Sequence, residues 1–151
     1  MNKKIILLVD DDCDDAEFFK WAMKGTEETF AVEFVDSGDA ALNLLSELES
    51  LPDLILLDAG MPKMDGWELL RLIKQDLKFG NVPVIMMATS NGSKGIGEAH
   101  SLGAEAYIVK PSDFNALKLI MQQLCIGVQS NLKNTLESMH SNLPENIYTF
   151  S

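Results

Sequence analysis

Two kinds of apolar segment alternate along the chain. Runs at 5–9, 54–57 and 84–87 carry no polar interruption, as strands buried on both faces of a parallel sheet do. Runs at 31–35 and 106–109 are equally short and rich in β-branched and aromatic residues, which suits strands. Between them the apolar positions recur at helical spacing. Residues 14–24 set Ala16, Phe19 and Met23 on one side, and Asp14, Asp15 and Glu17 at the start favour a helix N-terminus. Residues 39–48, 67–75, 94–102 and 113–125 repeat the periodicity with Leu44, Leu70, Ile96 and Ile120 among their apolar members. Strand and helix thus alternate five times. That order implies right-handed crossovers and an α/β fold: a doubly wound, five-stranded parallel sheet with helices on both faces.

In such sheets ligands bind beyond the carboxyl ends of the strands, so residues carrying chemistry should follow each apolar run. They do. Asp10, Asp11 and Asp12 follow the first, Asp58 the third, Ala88-Thr89-Ser90 the fourth and Lys110-Pro111 the fifth. If the first and third strands are neighbours, Asp10, Asp11 and Asp58 share a pocket, and like charges held together need compensation. Lys110 supplies one positive charge and leaves two negative ones. An oxygen-preferring divalent cation neutralises the rest, and Mg²⁺, content with one or two carboxylates plus water, fits. Aspartates after strands also cap helices and form turns; Asp12, Asp14 and Asp15 are read in that way.

Composition narrows the partners. Twelve Lys and Arg stand against 23 Asp and Glu, a formal charge of −11, which opposes binding to nucleic acid or to acidic membrane. The apolar run near the start is too short for a signal peptide or a membrane span, so a soluble cytoplasmic protein is expected. Two cysteines, Cys13 and Cys125, are too few for a disulfide scaffold and read as reduced packing residues. His100 reads as a surface residue. An EF-hand at 10–15 fails for want of the loop's glycine and glutamate. Three aspartates would repel a flavin phosphate, and a dehalogenase-type phosphatase needs an acid where Gly60 stands.

The segments Val9-Asp10-Asp11, Leu56-Leu57-Asp58-x-x-Met61-Pro62-x-Met64-Asp65-Gly66, Pro83-Val84-Ile85-Met86 and Tyr107-Ile108-Val109-Lys110-Pro111 resemble the receiver domain of bacterial two-component response regulators, of the stand-alone type like the chemotaxis regulator. The resemblance covers 4–126 and implies strand order 2-1-3-4-5. It implies that Asp58 accepts a phosphoryl group from a histidine kinase or phosphotransfer protein. It also implies that Asp11 binds Mg²⁺ directly, Asp10 through water and Gly60 through its carbonyl, with Lys110 pairing first with Asp58 and later with a phosphoryl oxygen. Such a protein is no enzyme on other substrates; it catalyses only its own phosphorylation and dephosphorylation. The resemblance further implies a cis bond before Pro111 and a switch in which Tyr107 rotates inward.

One position departs from that pattern. Receivers place a threonine or serine hydroxyl at the end of the fourth strand, and the ungapped count puts Ala88 there. Thr89 substitutes only if the backbone shifts by one residue. Ala88 therefore supports a rival reading, a phosphorylation-independent interaction module with a receiver fold. The receiver domain is expected over 1–126, with 127–151 a partly helical extension. No output domain fits in that extension, so output is expected through contact with another protein on the face of the fourth helix, fifth strand and fifth helix. Val128, Leu132, Leu136, Met139 and Leu143 continue a helical stripe. Gly127 is a weak point and Leu143-Pro144 an outer limit. Such a stripe is buried by folding back or by pairing in a homodimer; the reading here favours self-association.

Overall fold

The computed structural model describes residues 3–26, 29–60, 66–89 and 93–150. In chain order they form β1 (Lys4–Val9), α1 (Cys13–Ala22), β2 (Phe30–Val35), α2 (Gly38–Glu47), β3 (Leu54–Asp58) and α3 (Gly66–Gln75). Then come β4 (Val84–Ala88), α4 (Ser93–Ser101), β5 (Ala106–Val109), α5 (Phe114–Gln129), α6 (Leu132–Asn142) and β6 (Ile147–Thr149). The sheet runs β2-β1-β3-β4-β5-β6. Its first five strands are parallel and take the expected order. Each strand side has its own core. Ile6, Leu8, Leu54, Leu56 and Ile108 pack under α1, α5 and α6, whereas Leu7, Val9, Ile55, Leu57 and Met86 pack under α2, α3 and α4. That double burial is why β1, β3 and β4 read as continuous apolar runs.

Two expectations are corrected beyond residue 126. The sheet has six strands, because β6 returns antiparallel to β5. Without it β5 would present a row of unpaired backbone groups at the sheet edge. Val109 N–H instead donates to Asn146 O at 2.8 Å, and Asn146 Nδ2 donates to Val109 O at 3.0 Å. The helix break also falls at Ser130-Asn131 and not at Gly127. Asn131 caps α6 by accepting from Asn134 N–H at 3.0 Å. Gly127 lies inside α5, where α6 crosses it: an added Cβ would stand 3.0 Å from Thr135 Cβ. The apolar stripe folds back on the core, with Leu136 and Met139 buried and Leu132 and Leu143 packed beside them. Within one chain, folding back covers it. Among the described residues no helix is long and apolar enough to cross a membrane.

Candidate functional site

β1 and β3 pair with Val9 beside Leu57. The next residue of each, Asp10 and Asp58, therefore reaches the C-terminal edge of the sheet at the same level. Carboxylate oxygens of Asp10, Asp11 and Asp58 lie within 4.8 Å of one another. Asp10 is 1% exposed, Asp58 is partly covered and Asp11 is open to water. Lys110 follows β5, anchored by its N–H donating to Ala88 O at 2.7 Å. Its ammonium donates to Asp10 Oδ2 and Asp15 Oδ2, each at 3.0 Å, and to Asp58 Oδ1 at 3.5 Å. The acids and the lysine line one cleft of about 500 Å³, with Gly60, Trp67, Thr89 and Tyr107 in its walls.

Burial lifts the Asp10 carboxyl to about 6; the Asp12 N–H and the Lys110 charge oppose that rise without cancelling it. Lys110 cannot do more, because three carboxylates share its one charge. For Lys110 itself burial works against the ammonium, but the charges of Asp10 and then Asp58 outweigh it and hold the lysine above its ordinary range. Lys110 is therefore cationic at any physiological pH. Octahedral Mg²⁺ holds opposite oxygens about 4.2 Å apart, so carboxylates within 4.8 Å need only small side-chain shifts to meet it. The donors are all oxygen and the site is open to water on the Asp11 side, as that cation requires. Asp10, Asp11 and Asp58 fit Mg²⁺. Gly60 folds against Asp58, its N–H donating to Asp58 Oδ1 at 3.4 Å.

Tyr107 is buried. Its ring stacks on Trp67 at 6.3 Å and meets Tyr148 of β6 edge-on at 6.2 Å. A Cβ on Gly95 would lie 3.1 Å from the Tyr107 hydroxyl, so a glycine at 95 leaves room for the buried ring. Ala88 is the last residue of β4 and buried; Thr89, just beyond the strand, is exposed and lines the cleft. Three sequence expectations change. No cis peptide bond occurs among the described residues, so the Lys110–Pro111 bond is trans, the lower-energy isomer for X-Pro where no turn imposes the other. Cys13 is exposed as the first residue of α1, whereas Cys125 is buried, which pushes its thiol to about 11. Asp15 is no cap: Asp12 does that work, accepting from Asp14 N–H at 2.9 Å. A first-turn side chain tilts back toward the helix N-terminus, which delivers Asp15 to Lys110. Met61, Pro62, Met64, Asp65 and Ser90 lie outside the described residues.

The family model described as "Response regulator receiver domain" matches residues 6–122. The probable methanogenesis regulatory protein FilR2 of Methanothrix harundinacea is 34% identical over 124 residues, covering 80% of this chain and 80% of that protein. The two-component response regulator ORR5 of Oryza sativa subsp. japonica is 35% identical over 106 residues, 70% of this chain and 77% of that protein. Among solved structures, the phosphorylated cyanobacterial phytochrome response regulator RcpA superposes with a TM-score of 0.79 at 30% identity, covering 85% of this chain and 96% of that one. The Mn²⁺-bound form of response regulator Rcp1 gives 0.72 at 28% identity, over 80% and 91%. With that match over the acid cleft and all five parallel strands, the chain belongs to the response regulator receiver-domain family of two-component signalling.

Proposed function

We propose that Asp58 is the phosphoacceptor of a phosphorelay, taking its phosphoryl group from a phosphohistidine on a histidine kinase or phosphotransfer protein. The observation that carries this reading is Lys110, whose part-buried ammonium reaches Asp58 and Asp10 in a cleft that also fits a divalent cation. An Asp58 carboxylate oxygen attacks phosphorus, the P–N bond breaks, and its electron pair leaves with the imidazole. Lys110 balances charge on the transferring group, and the surrounding chain mostly positions it. Asp10, Asp11, Asp58 and the Gly60 carbonyl would hold Mg²⁺, which would supply further charge neutralisation on phosphoryl oxygens. Thr89 adds a hydroxyl to the same wall. RcpA in its phosphorylated form and Rcp1 with Mn²⁺ are the precedents.

Phe18, Trp21 and Phe114 form an exposed aromatic patch beside the cleft, ringed by Asp14 and Glu17. A phosphodonor partner with apolar and basic residues suits it. Output passes by protein contact, and on the α4–α5 side the edge a target meets is β6 instead of β5. The inward Tyr107 belongs to that same face. The protein acts in the cytoplasm, in keeping with its free cysteines. The rival module without phosphorylation rests on Ala88, and the intact acid–lysine set with Thr89 beside it argues against that. Incubation with Mg²⁺ and acetyl phosphate, read by intact mass, should add one phosphoryl group to the native chain and none to Asp58→Asn. An unlabelled native chain with every phosphodonor, or equal labelling of the variant, would refute the assignment.

A further inference from the structure

Lys110 has three N–H donors and spends them on three carboxylates, and the division is uneven. Asp10 Oδ2 and Asp15 Oδ2 each stand 3.0 Å from Nζ, Asp58 Oδ1 3.5 Å. Asp10 comes from the end of β1 and is fixed by burial and by accepting from Asp12 N–H at 3.0 Å. Asp15 comes from α1, three residues beyond the capping Asp12, and is about one-third exposed. Nothing in capping requires its carboxylate there, since Asp12 already accepts from Asp14 and Asp15 N–H. We propose that Asp15 is a positioning residue: it tethers the Lys110 ammonium on the α1 side of the cleft, away from Asp58, and so restrains phosphorylation.

The inference rests on Asp58 being the acceptor. When a phosphoryl group joins Asp58, negative charge grows on its oxygens, and the nearest mobile cation among the described residues is Lys110. To follow that charge the ammonium must loosen a short, charge-assisted bond to Asp15. Asp15 also adds negative charge to a cleft that Asp10, Asp11, Asp12 and Asp58 already line. Both effects are larger in the transition state than before transfer, so both slow the reaction. Asp15→Asn removes the charge and keeps the shape; Asp15→Glu keeps the charge.

The test is the rate constant for labelling of the full chain at saturating Mg²⁺ with two small donors, acetyl phosphate and the less charged phosphoramidate. Asp15→Asn should be labelled about threefold faster or more, by the same factor with both donors. The factor should shrink as salt is raised, because a part-exposed charge is screened. Asp15→Glu should return toward the native rate. Acceleration confined to acetyl phosphate means that Asp15 merely repels the donor, and the tether is wrong. An Asn variant labelled at the native rate or slower also overturns it. If the native chain itself takes no phosphoryl group, the acceptor assignment has failed first, and that result is read separately.

Discussion

Asp10 is buried to 1% exposure and its carboxyl rises to about 6 for that reason. The sign of the consequence follows from linkage. Between the ordinary carboxylate range and about 6, the folded metal-free protein holds a proton that the unfolded chain has lost. The stabilisation this gives is full at lower pH and disappears as pH rises through about 6. Mg²⁺ needs the carboxylate, so below that pH it must displace the proton. Its apparent affinity should fall toward about tenfold per pH unit there. Fluorescence of Trp67, which lines the cleft, reads this in a Trp21→Phe background, and Asp10→Asn should flatten the profile. An unchanged affinity across pH 6 in the native cleft would show that Asp10 takes no part. Asp10, Asp11, Asp58 and Lys110 were legible in the sequence because a buried parallel strand ends abruptly in charge. Asp15 was not, because an acid in a helix's first turn is already explained by the helix dipole.

The first five strand–helix pairs were legible for a related reason: burial on both faces leaves strands without polar positions, and the helices keep one polar side. Past residue 126 the helical spacing foretells α6, but the place of the helix break and the strand β6 follow packing that local pattern does not encode. Gly127 looks like a breaker, yet α5 runs on to Gln129 and the glycine serves the crossing with α6. Strand β6 is short, but Ile147 is fully buried while Tyr148 and Phe150 pack on the opposite core. Pairing along the edge of β5 explains why so few residues suffice. The crossing is testable. Gly127→Ala gains helix propensity that offsets its contact with Thr135, so a larger side chain is needed. Gly127→Val should cost about 1–3 kcal/mol by overpacking, seen as a lower urea midpoint. A variant as stable as the native chain would mean that α6 is not seated on α5.

The whole molecule carries a formal charge of −11, and among the described residues five aspartates line the cleft at one end of its sheet with the Lys110 ammonium. A fold that keeps them there does so at a cost in stability, held by two apolar cores that leave the sheet no room to splay. Adding a cation that binds only the folded state reverses part of that cost. At ten times its dissociation constant Mg²⁺ contributes about 1.4 kcal/mol, which for a chain of this size raises the melting temperature by about 3–6 °C. Asp58→Asn should change both the metal-free melt and the response to Mg²⁺. It removes one repelling charge while Lys110 keeps its two partners at 3.0 Å, so the metal-free variant should melt above the native chain. With one ligand gone, its gain from Mg²⁺ should shrink to a fraction of the native one. Calorimetric melts with and without Mg²⁺ measure all four quantities. A native melt that Mg²⁺ leaves unmoved would mean that the cleft binds no cation. A metal-free variant that melts lower would mean that Asp58 is held by favourable contacts and does not strain the fold.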